Sequence, residues 1–556
     1  MKKNAPIKIK RFSEYAVLVV DDQPSYQVML KNILADLGFY NVTTLSTADE
    51  CKKACNTRTY NIYLFDYNLG HGENGRQLLI YLHKRQLIPA DSIVFIITGD
   101  ATRPMVLSAL EQEPDDYIIK PISLSILQKR LFKIMEQKKD LKQLYEARFH
   151  KKFEDVITIG KDTLQSRSKY DHLIRIMVAE AMISSNKLQE AEDLISEGLA
   201  FENSLEYKLI LSRIFSLQER YSEAEELLKE IIRKKTYNIT AYKMLYDIYR
   251  KQNNLEEAVR IIDQAVDLSP QSTTLLRMKL EINAIQRNYL RMRDCVSSLM
   301  DLHKFEMEKL TNLLSGFAQI AILFAIDSTD PYHIGMLRKT VKSAIRKYMP
   351  FLSNSGKIGF NLSLFNEIIE ARMDIATGYV IKGKKGICKS LSNMAKEDIQ
   401  DLPDSIFSNI VAGLAQLGED EYIRDLLVQR PDKVKTDDIL SLCIHTCEHD
   451  PKIVEKKRKY EEINQEGITS YKDGDYLHAI QCFDEALRRS PGNTSASINK
   501  AQSLLRLYQK KNIKRDEKTR YLLKCRSVIE DLEGAPLTPE QTSRLEELKN
   551  QTENEK

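Results

Sequence analysis

The chain of 556 residues contains no tryptophan, only eight cysteines and no long apolar run. Eight cysteines spread over this length do not form the dense framework of a small secreted domain, and this predicts a reducing compartment. The longest apolar run, Ile320 to Ile326, is far shorter than the roughly 18 residues that cross a bilayer. The basic start of the chain is not followed by an apolar segment. We therefore expect a cytoplasmic protein without a membrane partner.

The chain also lacks a strong charge of either sign, since 83 basic residues stand against 79 acidic ones, a formal net charge of +4. Such a balance gives no overall field that would draw the protein to nucleic acid. Local basic runs occur at 456–459 and 510–511. Runs of this kind are usually solvated helix faces, so a nucleic-acid-binding regulator is the least favoured function.

One group of cysteines and histidines looks like a metal site, namely Cys443, His445, Cys447 and His449. On a helix the two cysteines share one face, whereas the histidines lie roughly 160° away at about 100° per residue. One ion could not collect all four, so a structural role is favoured. Cys51 and Cys55 have the same spacing as Cys443 and Cys447, and we expect them to pack as small apolar side chains.

The segment from 13 to 137 alternates short β-rich runs with amphipathic stretches, which predicts βαβ units around a parallel sheet. The five β-rich runs are YAVLVV, NVTTL, NIYLF, SIVFIIT and YII, and helical patterns lie at about 24–37, 47–57, 74–86, 102–112 and 123–137. Most of the runs are nearly all apolar, as strands covered on both faces should be. The prediction is an α/β doubly wound, flavodoxin-like domain.

Polar residues stand directly after four of these strands, where the ligand crevice of such a sheet forms. They are Asp21-Asp22, Asp66, Thr98-Gly99 and Lys120-Pro121. Three carboxylates that converge on one crevice repel each other unless a cation lies among them. Mg²⁺, which prefers oxygen ligands, is the expected cofactor.

This set of residues resembles the CheY-like receiver domain of bacterial two-component response regulators. The resemblance implies that Asp66 accepts a phosphoryl group from a histidine kinase. It also implies a Mg²⁺ site, with ligands Asp21 (through water), Asp22, Asp66 and the backbone carbonyl of Asn68. The alternative is a pseudo-receiver, which keeps the fold and loses the chemistry.

The same resemblance assigns three further roles. Lys120 pairs with a phosphoryl oxygen, Thr98 donates a hydrogen bond from its hydroxyl, and Tyr117 is the aromatic switch that rotates when Thr98 moves. A cis bond is expected before Pro121. Receivers often pair through the face near Tyr117, so a homodimer is a further expectation.

After residue 137 the strand pattern ends and the sequence is helical. Residues 138–150 predict a helical linker, and 151–300 contain a repeat of about 34 residues. Its equivalent positions are Val156, Ala191, Ala224, Ala258 and Met292. This period resembles tetratricopeptide (TPR) repeats, which are pairs of antiparallel helices stacked into a solenoid.

A further copy of the repeat lies within 461–535, which we predict to hold a C-terminal TPR and additional helices. Between them, 301–460 is helical with a faint repeat, so degenerate repeats are favoured over a separate helical insertion. The clearest predicted break is the loop-like stretch 349–361. Residues 536–556 are predicted to be a polar, disordered tail.

Beyond 137 the sequence shows no nucleotide-binding loop, no paired metal-ligand motif, no hydrolase motif and no helix-turn-helix with a basic recognition helix. We therefore expect no enzymatic output beyond the receiver's own phosphoryl transfer and dephosphorylation. The expected function is that of a response regulator whose TPR output binds and modulates another signalling protein. The architecture resembles auxiliary regulators of the VieB type, and the alternative is a phosphate sink docked on a sensor kinase.

Overall fold

The structure is a computed structural model. It describes residues 12, 14–70, 73–99, 114–304, 306–327, 331–353, 362–392, 402–429, 451–490, 492–511, 513–533 and 537–553. The chain divides into two compact units, Met1–Lys279 and Leu280–Lys556. The predicted helix at 102–112 and the Cys443–His449 cluster lie outside the described residues.

The first unit begins with a five-stranded parallel sheet of order β2-β1-β3-β4-β5. The strands are β1 (Ala16–Val20), β2 (Asn41–Leu45), β3 (Ile62–Asp66), β4 (Ile93–Thr98) and β5 (Asp116–Ile119). The described helices of this domain are α1 (Pro24–Asp36), α2 (Ala48–Thr57), α3 (Gly75–Lys84) and α4 (Leu124–Asp140). Every described element lies within about three residues of its predicted position, and the doubly wound fold is confirmed.

Two apolar cores cover the two faces of the sheet because neighbouring strand residues point to opposite sides. Val17 and Val19 of β1 lie in the core that also contains Leu30 of α1 and Leu127 of α4. Leu18 and Val20 lie in the other core, with residues of α2 and α3. Because both faces are buried, the carboxyl edge of the sheet is where polar side chains can reach solvent.

The rest of the first unit consists of paired helices. They are α5 (Lys142–Phe149), α6 (Phe153–Gln165), α7 (Asp171–Ser184), α8 (Leu188–Phe201), α9 (Leu205–Leu217), α10 (Tyr221–Lys234), α11 (Ile239–Lys251), α12 (Leu255–Leu268) and α13 (Thr273–Ile285). The repeat positions predicted from the sequence are all buried. Small residues such as Ala224 and Ala258 are fully buried, which lets paired helices approach closely.

The turn within each helix pair repeats as regularly as the sequence does. A residue with positive φ stands two positions before the second helix of each pair, at Lys151, Asn186, Glu219, Asn253 and Arg287. In the first four of these pairs the left-handed residue reverses the chain so that the second helix packs against the first. The 34-residue period is therefore visible in the backbone as well as in the apolar residues.

The second unit is helical throughout its described part. Its helices are α14 (Tyr289–Leu302), α15 (Met307–Asp327), α16 (Pro331–Ser353), α17 (Leu362–Ala376), α18 (Val380–Ser392), α19 (Asp404–Leu417), α20 (Asp420–Gln429), α21 (Pro451–Lys472), α22 (Tyr476–Arg489), α23 (Thr494–Gln509), α24 (Arg515–Asp531) and α25 (Pro539–Glu553). None of the helices in the described residues is both long and apolar enough to cross a membrane.

The same turn geometry continues in the region predicted as degenerate repeats. Gly378, between α17 and α18, and Gly418, between α19 and α20, have φ of 91° and 75°. Each again stands two residues before the second helix, as the non-glycine residues do in the first unit. The longer α15 and α16 depart from the repeat length, and the preference for degenerate repeats over a separate insertion stays a prediction.

Two described helices differ from the predicted bounds. Helix α16 continues to Ser353, so 349–353 are helical, and 354–361 lie outside the described residues. Helix α21 runs from Pro451 to Lys472 and therefore crosses the boundary predicted at 460. Helix α4 runs to Asp140 and is followed, after Leu141, by α5, so the residues from 138 to 149 are almost all helical.

The predicted polar tail was also wrong, since most of it forms helix α25. Leu545 and Leu548, three residues apart on one face, are buried in a core shared with Cys525 and Ile529 of α24. The helix begins with a reciprocal cap, in which Thr538 Oγ1 accepts from Gln541 N at 3.2 Å. Two leucines at helical spacing were enough to bury this face within an otherwise polar sequence.

Candidate functional site

Three carboxylates meet at the carboxyl edge of the sheet. Asp21 and Asp22 follow β1, Asp66 ends β3, and β1 and β3 are neighbours in the sheet. One carboxylate oxygen from each residue lies within 4.8 Å of the others. Asp21 is 1% exposed and Asp66 is 4% exposed, so two of the three charges are buried. Burial of this kind requires cationic partners.

Lys120 supplies one such cation. Its Nζ lies 2.8 Å from Asp21 Oδ2 and 3.0 Å from Asp66 Oδ2. The same ammonium lies 4.1 Å from the centroid of the Tyr26 ring, a cation–π contact on its other side. The position of Lys120 is fixed by the sheet, because its backbone N–H donates to Thr98 O at 2.7 Å.

Burial and charge act on Asp66 in opposite directions. Burial raises the pKa of Asp66 above its ordinary value, and the hydrogen bond and charge of Lys120 lower it only in part. The charge of Asp21 raises it further, whereas a hydrogen bond from the Asn68 backbone lowers it. For Lys120, burial alone would lower the pKa, but its hydrogen bonds to Asp21 and Asp66 raise it overall.

A cleft of about 480 Å³ opens beside Asp66, lined among others by Asn68, Thr98, Gly99 and Pro121. Thr98 ends β4 and is buried, next to β3 in the sheet. A methyl group placed on Gly99 would meet no atom of the described residues within 4 Å. The Lys120–Pro121 bond is cis, as the sequence predicted.

The loop after Asp66 holds that residue in place by backbone contacts. Tyr67 N donates to Ile97 O at 2.7 Å, and Gly75 N donates to Tyr67 O at 2.9 Å. A Cβ on Gly75 would lie 2.0 Å from the Asp66 carbonyl oxygen, so only glycine fits at the start of α3. Helix α3 therefore begins in direct contact with the backbone of the candidate phosphoacceptor.

Tyr117 lies on β5 and is half-buried, packed against the core that covers the α2 and α3 face. Its carbonyl oxygen accepts from Arg130 Nη1 at 2.8 Å, and the same nitrogen lies 2.9 Å from Asp116 Oδ1. These contacts connect β5 to α4. The switch role of Tyr117 stays a prediction, because the segment 102–112 that would pack beside it is outside the described residues.

The donor set fits Mg²⁺. Three carboxylates of Asp21, Asp22 and Asp66 converge within 4.8 Å, and all their donor atoms are oxygen. Gly70, with φ of 70°, brings its backbone close to Asp22, since a Cβ there would lie 2.9 Å from Asp22 Oδ2. The coordinating roles of these residues and of the Asn68 carbonyl remain predictions.

The sequence did not single out two side chains that support this site. Gln27 Nε2 donates to Asp21 O at 2.6 Å and to Ser46 Oγ at 3.0 Å, and thereby connects α1 to the loop after β2. Tyr26 presents its ring to Lys120. Both lie in the first turn of α1, directly after the Asp21-Asp22 pair, and this position is the one signal that could have identified them.

The receiver domain also contacts the helical pairs of the same unit. Arg76, the second residue of α3, is 6% exposed, and its Nη2 donates to Thr273 Oγ1 at 3.3 Å. Thr273 is the first residue of α13. Arg76, which follows the glycine that contacts the Asp66 backbone, therefore forms a hydrogen bond with a helix of the solenoid.

A second contact links the end of the receiver domain to the first helical pair. Lys138 of α4 is buried, hydrogen-bonds to Ser92 O and lies 2.8 Å from an Asp115 carboxylate oxygen. Its ammonium also lies 5.3 Å from the ring centroid of Tyr145 on α5. Leu144 of α5 already belongs to the solenoid core, so the predicted linker is packed on both sides.

Two family models match the chain. Residues 17–132 match the response regulator receiver domain, and residues 217–280 match the tetratricopeptide repeat. The chain therefore carries a CheY-like receiver domain followed by a helical region with TPR sequence. The two matches together leave most of the second unit without a family assignment.

Two curated relatives are each similar to about a fifth of this chain. A chemotaxis protein CheY of Pseudomonas aeruginosa is 25% identical over 121 residues, which are 22% of this chain and 96% of that protein. A CheY-3 of Vibrio cholerae is 27% identical over 121 residues, which are 22% of this chain and 92% of that protein. A receiver domain of Methanospirillum hungatei with a crystal structure is 30% identical and covers 23% of this chain and 98% of that one, with a TM-score of 0.21.

Proposed function

We propose that this protein is a two-component response regulator that accepts a phosphoryl group on Asp66 from a histidine kinase. The observation that carries the proposal is the convergence of Asp21, Asp22 and Lys120 on Asp66 beside an open cleft. No residue of this set is explained by packing alone, because buried carboxylates and a buried ammonium are costly in a core.

In the proposed reaction a carboxylate oxygen of Asp66 attacks phosphorus, and the bond between phosphorus and the donor histidine nitrogen breaks. The product is an acyl phosphate on Asp66 and a free imidazole on the kinase. Mg²⁺, held by Asp21, Asp22 and Asp66, would supply positive charge for the phosphoryl oxygens. In this proposal Lys120 pairs with a phosphoryl oxygen, and the Thr98 hydroxyl donates a hydrogen bond to another.

We propose that the output is a change in how the solenoid binds another protein. Two contacts support this proposal. Gly75 lies against the Asp66 carbonyl, and the next residue, Arg76, donates a hydrogen bond to Thr273. Solenoids of paired helices present extended surfaces that bind peptides or helices. An enzymatic output beyond the receiver's own chemistry is not part of the proposal.

The proposed partner is a sensor kinase or its cognate regulator, in line with the resemblance to auxiliary regulators of the VieB type. A phosphate sink is the second candidate, but it needs no contact between receiver and solenoid. The buried Arg76 at that contact favours coupling instead.

The chemistry is tested by incubating the full chain with acetyl phosphate and Mg²⁺. We expect one base-labile phosphate per chain, lost in Asp66→Ala. Absence of this phosphate in the folded wild-type protein would reduce the domain to a pseudo-receiver. Asp22→Ala should lower incorporation without preventing folding, because its side chain is more exposed than those of Asp21 and Asp66.

The output is tested by affinity capture from the source cell with phosphorylated wild type and with Asp66→Ala. We expect the two forms to recover at least one signalling protein in different amounts. If both recover the same proteins equally while the kinase still transfers phosphate to Asp66, the phosphate sink is the correct function.

A further inference from the structure

A cluster of three different metal-binding side chains lies in the second unit, on the helix pair α21 and α22. Glu466 lies on α21, and His478 and Cys482 lie on α22. His478 Nε2 is 3.1 Å from Glu466 Oε1 and 3.6 Å from Cys482 Sγ, and the three donor atoms all lie within 4.8 Å of one another.

The local sequence explains why these side chains meet. His478 and Cys482 are four residues apart and share one face of α22. Gly467 lets α21 approach that face, since a Cβ there would lie 2.8 Å from Phe483 Cε1 and 3.0 Å from Cys482 Cβ. Glu466 precedes this glycine and therefore lies where the two helices are closest.

The distances match those of ligands around one Zn²⁺ ion. Tetrahedral zinc with N, S and O ligands places nitrogen about 3.5 Å from sulfur and about 3.4 Å from oxygen. The observed separations of 3.6 Å and 3.1 Å require only small movements. We propose that Glu466, His478 and Cys482 bind a single divalent transition-metal ion of the Zn²⁺ class.

A hydrogen bond from His478 Nε2 to Glu466 Oε1 accounts for one of the two short contacts but not for the approach of Cys482 Sγ to the same nitrogen. Both short contacts use the same atom, His478 Nε2, which in neutral imidazole either donates one proton or accepts one bond. A metal ion would satisfy the nitrogen, the sulfur and the carboxylate oxygen together. The imidazole and thiolate donors favour Zn²⁺-class ions over Mg²⁺ or Ca²⁺, which prefer oxygen.

The surroundings suit a three-ligand site with an open fourth position. The side chains of His478 and Glu466 are 46% and 59% exposed, so water can complete the coordination. Cys482 is buried beneath them. Asp475, whose carboxylate accepts from His478 N at 3.1 Å, adds negative charge near the cation. The ion would fasten α21 to α22 across the turn at Gly474.

The test uses the full chain, reduced and freed of metal with a chelator, and titrated with Co²⁺ as a spectroscopic probe. We expect one equivalent of Co²⁺ to produce a thiolate-to-cobalt charge-transfer band that Zn²⁺ abolishes. Cys482→Ala and His478→Ala should lose the band. Glu466→Gln, at an exposed position, should weaken Co²⁺ binding at least about ten-fold, since even outer-shell partners change metal affinity by that much.

Two control variants make the result specific. Cys525→Ala removes another buried thiol, and the double variant Cys443→Ala, Cys447→Ala removes the other cysteine–histidine cluster of the sequence. Both should keep the band. The proposal is overturned if folded wild type gives no band, if the band survives Cys482→Ala, or if it disappears in either control.

Discussion

Arg76 Nη2 donates a hydrogen bond to Thr273 Oγ1 at 3.3 Å, which joins the helix next to Asp66 to a helix of the solenoid. Arg76 follows Gly75, whose Cα lies against the Asp66 carbonyl. If the loop after Asp66 moves, the movement reaches this contact through a short stretch of backbone. The pair is a specific place where the state of the receiver domain can alter the helical pairs.

We expect Arg76→Ala to uncouple the solenoid from the receiver domain while leaving Asp66 chemistry intact. In wild type, acetyl phosphate should change the hydrogen-exchange protection of α13, and in Arg76→Ala that change should be absent. Thr273→Val, which removes only the acceptor oxygen, should weaken the change, because a hydrogen bond to a charged group contributes about 1.5–3 kcal/mol.

Lys84→Ala is the matched control, since Lys84 is an exposed residue of the same helix. It should behave as wild type in both phosphorylation and exchange. Equal phosphorylation-dependent protection in wild type and Arg76→Ala would show that this contact does not transmit the signal.

A second prediction concerns the close approach at Gly75. In Gly75→Ala the new methyl group would lie 2.0 Å from the Asp66 carbonyl oxygen, so the start of α3 must move. We expect a loss of stability of about 1–3 kcal/mol, the usual cost of overpacking. Phosphate incorporation on Asp66 should also fall. Thermal unfolding and acetyl phosphate labelling measure the two effects.

Gly99→Ala provides the comparison for stability, because a methyl group there would meet none of the described residues within 4 Å. Its melting temperature should stay near that of wild type. Equal melting temperatures for the Gly75 and Gly99 variants would contradict the importance of the Gly75 contact.

The comparison of sequence and structure shows which parts of the site were predictable. Asp21, Asp66 and Lys120 were expected to meet because parallel strands end at one edge of the sheet, and their contacts are observed. The contact between Arg76 and Thr273 spans 197 positions and rests on how the domain packs on the solenoid. Neither residue type nor spacing carries that information.

In the helical region, too, some features were predictable from the sequence and others were not. The 34-residue period predicted the buried alanines, because each repeat places them at one helix interface. The Glu466, His478 and Cys482 cluster does not form a ligand motif in the sequence, since its members lie on two different helices that approach closely at Gly467. Tertiary packing created this group from residues that are individually ordinary.

Because the pKa of Asp66 is raised, its phosphorylation should depend on pH in the mildly acidic range. Burial favours the protonated carboxyl of Asp66, which is not nucleophilic. At mildly acidic pH, Asp66 therefore retains less carboxylate than an exposed aspartate, whose pKa is about 3.9. Phosphorylation should therefore decline at a higher pH than exposed aspartates would suggest. Carbon-13 NMR of the Asp66 carboxyl, without Mg²⁺, measures the titration directly.

The variant Lys120→Met tests the opposing effect, which is the influence of the Lys120 ammonium on the pKa of Asp66. The ammonium lowers the pKa of Asp66, so its removal should move the titration of Asp66 to still higher pH. A titration of Asp66 in wild type at the pH of exposed aspartates, or a downward shift in Lys120→Met, would contradict this account of the site.

The last prediction concerns α25, in the segment whose composition suggested a disordered tail. Leu545 is 5% exposed and packs in the core with Cys525 and Ile529, so Leu545→Ala should lower the free energy of unfolding of this region by about 2–4 kcal/mol. Leu523→Ala, at a side chain that is 60% exposed, should change it by less than about 0.5 kcal/mol. Hydrogen exchange of α23 to α25 reports the local stability. If the two variants exchange alike, α25 does not contribute to this core.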